Sequence, residues 1–519
     1  MGRCSRTLKS STASAGCTNG KRALHLCARH RERSRRKTYS ARKSDPRRKR
    51  RRDAQLRFAG CRKTGSGRKA MKTWPVICVA AVLVLGGCSV PGKEGVFRSL
   101  NETMGTDLVW IKSEREAAAV EKNITAILAR PLKGEDAVRI ALINNRSLQQ
   151  SYEELGIAHA DLVQAGLMSN PVLGYSVGRG GGVTTNKLSI ELAFLDLLWI
   201  PLRRDLAGIA LEEAKARIAD EVLKTVRETR KAYVDANTAE AIAQLQDEQL
   251  ASASASAQLA IRQYTAGNLA KRDMLRIRAE YSRARIDALE ARKNASDARE
   301  ELNKLMGLYG RFTDYRMASA ESSLLMPPSS PEGLERESIR SRFDIAAARK
   351  KLEYAARAAG IVENTRLLDE LSLEYENERT TGEARFNTVG VKIPLPLFDL
   401  GQGRVESARA QYNQAHHALY ALSVNVRSDV RRAYAALRYR YDIAAEYRDA
   451  LSGIHRDMLE ETGLYYNGML EGIHELLEER RRFGEMKIAA AEAVAEYEKA
   501  RIDLDYAVGT RMEDANGAQ

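Results

Sequence analysis

The sequence predicts a mainly α-helical chain with a small β part, built as two tandem copies of one unit. Three observations predict it. The chain resembles itself when slid by about 200 residues. Two very long stretches carry no proline and much alanine. Each copy also holds two short segments in which apolar and polar residues alternate. Leu173-Gly174-Tyr175 matches Leu373-Glu374-Tyr375 at an offset of 200, and Lys231-Ala232-Tyr233 matches Arg432-Ala433-Tyr434 at 201. Tyr264-Thr265-Ala266-Gly267 matches Tyr465-Tyr466-Asn467-Gly468 at 201, and Met306-Gly307 matches Val508-Gly509 at 202. A drift of two residues over about 130 positions marks a duplication with small insertions.

Each copy repeats the same order of elements. A medium helix comes first, over Gly134 to Met168 and about Ser338 to Leu368. Asn170-Pro171 closes the first, because a residue before proline disfavours helix. Alternation of period two follows. Leu173, Tyr175 and Val177 face Leu188, Ile190 and Leu192 across the loop Gly178-Arg179-Gly180-Gly181-Gly182. Leu371, Leu373 and Tyr375 precede Val389, Val391 and Ile393. These are β-hairpins, with strands of about the 9–11 residues that cross a bilayer at a tilt. Pro201 marks the first strand–helix joint; Pro394, Pro396 and Gly401 mark the second. Long helices over Leu202 to Tyr264 and about Arg404 to Tyr465 span about 90 Å each at ~1.5 Å per residue. Tight turns at Tyr264–Gly267 and Tyr465–Gly468, where glycine can take positive φ, lead to return helices ending at Met306 and Ala507.

Four strands cannot close a membrane barrel, and an open sheet edge is not viable in lipid. The chain therefore needs copies of itself: two would supply eight strands, three would supply twelve. The polar positions Ser176, Ser189, Glu191, Glu374, Glu376 and Lys392 should then face the lumen, with the apolar set toward lipid. Tyr175 and Tyr375 read as interfacial belt residues or as ordinary lipid-facing packing.

The N-terminal region is of a different kind. Residues 1–70 hold 24 Lys/Arg and 3 Asp/Glu, a net of +21, with RRKRRR over Arg47 to Arg52. Such a segment cannot bury enough surface to fold. Met71 then opens a signal-like stretch: Lys72, an apolar run from Val76 to Leu85, and Leu85-Gly86-Gly87-Cys88. The run is too short to span a membrane as a helix. It resembles the lipobox of bacterial lipoproteins, which implies lipidation of Cys88 after cleavage of 71–87. Met71 is expected to be the true start, with 1–70 a misassigned upstream segment; the rival reading is a basic arm. Because the whole chain is +16, residues 71–519 carry −5, and nothing in them calls for nucleic acid. Cys4, Cys17, Cys27, Cys61 and Cys78 all precede Cys88, so the mature chain is expected to hold no disulfide and no thiolate metal site.

The boundaries expected are 88–134 as an N-terminal linker, 135–310 as the first repeat, 311–337 as a linking segment, 338–510 as the second repeat and 511–519 as a tail. Over 135–510 the ordered set resembles the TolC-like outer-membrane efflux family. The match is carried by the duplicated helix–hairpin–helix–turn–helix order and by Gln164-Ala165-Gly166-Leu167-Met168-Ser169-Asn170-Pro171. Pro394-Leu395-Pro396-Leu397-Phe398-Asp399-Leu400-Gly401-Gln402-Gly403-Arg404 and both Tyr-x-x-Gly turns complete it. The resemblance implies a homotrimer, with a 12-stranded transmembrane β-barrel of four strands per chain and a trimeric α-barrel tunnel of long antiparallel helices. It also implies docking, through the tip at Tyr264, Gly267, Tyr465 and Gly468, to a periplasmic adaptor and an inner-membrane pump. The first joint departs from the pattern: Asp196-Leu197-Leu198-Trp199-Ile200-Pro201 lacks the glycine that stands at 401.

Candidate gate residues near the tip are Asp273 in the first repeat and Glu471, Glu475 and Glu478 in the second, the last three spaced to share one helical face. A threefold ring of such carboxylates would favour cations and raise its own pKa values; a solvated face is the plainer reading. His474-Glu475-Leu476-Leu477-Glu478 falls one ligand short of H-E-x-x-H, and adjacent His416-His417 diverge on a helix. Gly178–Gly182 lacks a nucleotide-binding spacing, so no enzyme, cofactor or metal is expected. The function expected is a passive outer-membrane conduit driven by partners, anchored in the outer membrane of a Gram-negative cell and reaching into the periplasm. The alternative is a lipid-anchored coiled-coil envelope scaffold.

Overall fold

The structure, a computed structural model, describes residues 92–510 apart from 107, 319–324, 329 and 368–370. Cys88, the signal stretch, the basic segment and the 511–519 tail lie outside the described residues. Helices dominate. The stretch expected as a linker folds instead into α1 (Lys93–Met104) and α2 (Glu114–Leu128). A capping box starts α2: Ser113 Oγ accepts from the Glu116 N–H, and the Glu116 carboxylate accepts from the Ser113 N–H at 3.1 Å. Phe97 of α1 meets Tyr152 edge-on, with centroids 5.1 Å apart, so this segment is part of the core.

The medium helices are broken where continuous helix was expected. The first is α3 (Gly134–Asn144) and α4 (Arg146–Ala165), because Asn145 takes extended backbone and its side chain accepts from the N–H groups of Ser147 and Leu148. The second is α7 (Leu334–Ser341) and α8 (Phe343–Thr365), with Arg342 extended between them. Both breaks do the same work. Asn144 and Asn145 donate to the carbonyls of Met306, Gly307 and Leu305, which end the return helix α6 (Lys271–Met306). Ser341 and Arg342 donate to Val508 and Ala507, which end α11 (Ile473–Val508). The duplication has kept one device, a helix break whose side chains satisfy the orphan carbonyls of another helix.

The strands β1 (Val172–Gly180), β2 (Val183–Ala193), β3 (Ser372–Thr380) and β4 (Phe386–Lys392) form one antiparallel sheet in sequence order. Gly178 to Gly180, expected as loop, belong to β1; the turn is only Gly181-Gly182, at φ 59° and 77°. Two consecutive positive φ values make the two-residue turn whose twist suits a hairpin. The β3–β4 connection is five residues long, and β4, at 7 residues, is shorter than expected.

The long helices are α5 (Asp196–Thr265), α9 (Gln402–Glu446) and α10 (Ser452–Asn467). Pro201 lies inside α5 and not at its start. In the second repeat the long helix is not continuous: a π-helical turn, Tyr447–Leu451, joins α9 to α10. Five positions buried in α5 match five buried in α9 at an offset of 201. Ala214, Thr225, Thr229, Ala236 and Ala243 are buried, as are Ala415, Val426, Val430, Leu437 and Ala444. Past the π-turn the offset is 202, since α6 and α11 span 271–306 and 473–508. A π-turn holds one extra residue, so it accounts for the last step of the drift. Ser452 donates both its N–H and its Oγ to the Tyr447 carbonyl, the hydroxyl at 2.6 Å. The core gathers around the helix breaks, with Tyr152, Ile218, Val222, Leu302 and Met306 buried. Full burial of such side chains contributes about 1.5–3 kcal/mol each.

Candidate channel wall, joints and tip

The register sorts the sheet into two unlike faces. Leu173, Ile190, Tyr375 and Val389 form one cross-strand row, and Leu192, Leu373 and Val391 another. Most of these side chains are exposed. The opposite face carries Ser176, Ser189, Glu191, Glu374, Glu376 and Lys392, the positions expected together, and adds Lys187 and Glu378. Lys187 Nζ lies 2.6 Å from Glu376 and 3.4 Å from Glu378; Lys392 lies 3.4 Å from both Glu191 and Glu374. Two lysines against four glutamates leave this face at −2 per chain. Leu173 pairs through Ile190 with Tyr375 and not with its repeat equivalent Leu373. That stagger is what strands tilted in a barrel require.

The two joints reach the same bend differently. Gly401 sits at φ 73° as the N-cap of α9, and a Cβ there would come within 2.8 Å of the Arg366 Cβ. Both its conformation and its surroundings exclude a side chain. The first joint needs no glycine. Its helix begins at Asp196, and the Asp196 carboxylate accepts from the Ser169 N–H at 2.9 Å and from the Ser169 hydroxyl, with Arg203 at 3.1 Å. Apolar side chains crowd the outside of both joints: Leu197, Leu198, Leu395 and Leu397 are exposed, and Phe398 is 95% exposed.

At the tip, Tyr264 and Tyr465 are exposed, but the two Tyr-x-x-Gly turns are not equivalent. Gly267 takes φ 80°, whereas Gly468 takes −77°. The left-handed residue of the second turn is Met469, at φ 58° and 93% exposed. The hydrogen bonds agree. Asn268 N–H donates to Gln263 and Gly267 N–H to Tyr264; Leu470 N–H donates to Tyr465 and Met469 N–H to Tyr466. The sequence match at 201 is therefore one residue out of structural register.

The four candidate carboxylates do not form one face. Asp273 and Glu475 are equivalent, each the third residue of its return helix. There the helix dipole favours negative charge. The Glu475 carboxylate lies back over Gly472, where a Cβ would be 2.8 Å from its oxygen. Glu471 precedes α11 and cannot share its face. Glu478 pairs with Arg481 at 2.8 Å and Arg482 at 3.3 Å. The Arg481 hydrogen bond holds its carboxyl below the usual range, the reverse of the rise expected from like charges, within one chain. Sequence reasoning missed Glu479, which is 5% exposed, with His455 Nδ1 3.5 Å away. Glu479 stands where the first repeat has Ile277, and His455 where it has Ala253, at the offset of 202; that comparison was the available signal. His455 Nδ1 and Glu479 Oε1 are buried without a hydrogen-bond partner. Among the described residues no cluster could hold a metal, and no helix is long and apolar enough to cross a membrane.

Residues 137–308 match the family described as outer membrane efflux protein. The match covers the first repeat, and with the similar proteins below it places the chain in the outer membrane of a Gram-negative envelope, where it serves efflux. This sets aside a scaffold without a channel. It is similar to the cobalt-zinc-cadmium resistance protein CzcC of Cupriavidus metallidurans, at 28% identity over 310 residues, 57% of this chain and 71% of that one. The fold is shared with a membrane protein from Pseudomonas aeruginosa (TM-score 0.64, 19% identity, 72% of this chain and 92% of that one). It is shared too with CusC, whose structures concern transmembrane channel formation (TM-score 0.62, 16% identity, 72% and 92%).

Proposed function

We propose that the chain is the outer-membrane duct of a tripartite export system, a homotrimer that carries cargo from the periplasm to the exterior. One observation carries the reading: a four-stranded sheet with an apolar exposed face, a charged opposite face, and two open edges, β1 and β4. An edge left unpaired in lipid costs several kcal/mol per orphan group. Pairing β4 of one copy with β1 of the next removes every edge, and three copies make twelve strands. The charged face then lines the lumen, and its surplus of carboxylates favours cations. Divalent metal cations, the class named for CzcC, suit such a lining.

The duct holds no source of energy, so an inner-membrane pump drives it through a periplasmic adaptor. The adaptor docks on the tip around Tyr264, Gly267, Tyr465 and Gly468. Of the candidate carboxylates Asp273, Glu471, Glu475 and Glu478, the equivalent pair Asp273 and Glu475 is our choice for the narrow end, and Cys88 for the lipid anchor. Heat-modifiable trimers of Cys88→Ala that still resist extraction from outer membranes support the duct; release as a soluble single chain refutes it. Planar-bilayer conductance of Glu475→Gln trimers tests the gate, and unchanged conductance with unchanged cation preference removes Glu475 from it. Growth of a deletion strain on cobalt, zinc and cadmium tests the cargo class.

A further inference from the structure

The charges of the sheet are divided by face. All four of its glutamates, with Lys187 and Lys392, lie on the polar face. The apolar face carries no acid and two arginines, Arg179 of β1 and Arg379 of β3, both exposed. Among the described residues no ion pair or hydrogen bond engages either guanidinium. Both sit at the hairpin end of the sheet, away from the helices. In each case a tyrosine lies four residues back on the same face, Tyr175 and Tyr375.

Arg179 and Arg379 are repeat equivalents at the offset of 200 that relates β1 to β3, and so are the two tyrosines. Of the nine positions of these strands, three stay identical, Leu, Tyr and Arg, all on the apolar face, while the others changed: Val172 to Ser372, Gly174 to Glu374 and Ser176 to Glu376 on the polar face, and Val177 to Asn377 on the apolar one. The polar face was rewritten; the pair on the apolar face was kept. Each tyrosine hydroxyl meets an asparagine of the neighbouring strand, Asn186 at 3.3 Å and Asn387 at 3.1 Å. Asn186 and Arg379 share a row, and Thr184 pairs with Arg179. Beyond the tyrosines this face holds one apolar residue, Val177, and otherwise hydrogen-bonding side chains, among them Asn186, Asn377 and the two arginines. Four residues along a strand are about 13 Å, or about 10 Å of depth at the tilt of a barrel strand. That step separates the acyl boundary from the headgroups.

We propose that Arg179 and Arg379 bind phosphate groups of phosphorylated glycolipid in the outer leaflet. The inference rests on the membrane-duct reading above. A guanidinium presents two parallel N–H donors to a phosphate and stays charged at every physiological pH. Two arginines per chain become six around a trimer, alternating with the strands of both repeats. Asn186 and Thr184 supply neutral donors beside them. The role is to hold the barrel at a fixed depth by its outer rim, opposite the lipid anchor expected on the periplasmic side.

The test is native mass spectrometry of the detergent-purified trimer titrated with lipid A or with lipid A stripped of its phosphates. Wild-type trimer should bind the phosphorylated form at least tenfold more tightly than the stripped form. Arg179→Gln/Arg379→Gln should lose that preference, and Arg179→Lys/Arg379→Lys should keep part of it. Equal affinity of wild type for both lipids, or a full preference in the Gln variant, overturns the proposal. If the Gln variant does not trimerise, salt dependence of wild-type binding decides: preference that falls with ionic strength supports the contact, and salt-independent preference overturns it. Trimer migration and conductance are recorded for every sample. A protein that inserts and conducts without lipid preference refutes this inference alone, whereas one that never forms trimers refutes the duct.

Discussion

Gly267 and Met469 occupy the same place in the two tip turns, each as the left-handed residue that ends its long helix, at φ 80° and 58°. One is the residue best suited to that conformation. The other is an unbranched L side chain with its surface in solvent. A non-glycine residue there costs about 1–2 kcal/mol.

Met469→Gly should therefore raise the temperature at which trimers dissociate, by the equivalent of about 1 kcal/mol per chain. Gly267→Ala should lower it by a similar amount. Heat-modifiable gel migration against temperature measures both. A fall with Met469→Gly would mean that the Met469 side chain makes a stabilising contact in the assembly.

The π-turn makes a second prediction. Its extra residue steps the offset between the repeats from 201 before it, at Ala444, to 202 after it. Removing Ala450 should restore regular helix and preserve trimers. Removing Glu460 from regular α10 should rotate the remaining turns by about 100° and abolish them. Trimer yield in outer-membrane fractions compares the two deletions; equal loss in both would refute the insertion account.

His455 and Glu479 replace an alanine and an isoleucine of the first repeat at a buried place. Removing one member of a buried pair is costly, often about 3–5 kcal/mol, while replacing both by well-packed apolar groups is neutral or favourable. Partial exposure of His455, and the Arg482 guanidinium 3.5 Å from the Glu479 carboxylate, soften the first figure. His455→Ala should thus destabilise more than the double variant His455→Ala/Glu479→Ile. A double-mutant cycle on thermal dissociation reads the coupling.

Glu478 sets a pH dependence. Its folded pKa is depressed, chiefly by Arg481, so its pairing stabilises above the unfolded carboxylate value. That contribution is lost as pH falls through the lowered value. Glu478→Gln should weaken the tip at pH 7, and the difference from wild type should vanish in acid below the ordinary carboxylate range. The carboxylate is about half exposed, so the effect is small. Limited proteolysis at the tip across pH measures it.

The hairpins, the duplication and the order of elements were legible because they rest on local periodicity. Alternation at Leu188, Ile190 and Leu192 needs no knowledge of neighbours, and the face assignment of Glu191, Glu374 and Lys392 follows from it. The helix breaks were less legible. Asn145 and Arg342 interrupt good helical patterns because their side chains are wanted by carbonyls about 160 residues away. The carboxylates at the tip misled because spacing presumes helix, and α11 begins only at Ile473.

The amino-acid sequence alone determined that the chain is two copies of a hairpin-bearing helical unit whose four strands are too few to close a barrel. Strand alternation and repeat offsets are properties of order along the chain. Tertiary structure alone decided the true register of the second tip, the π-turn that explains it, and the burial of Glu479. A Tyr-x-x-Gly string does not state which residue turns left-handed. That choice, like the burial of a charge, is made by how many residues the packed helix must fit between two fixed faces.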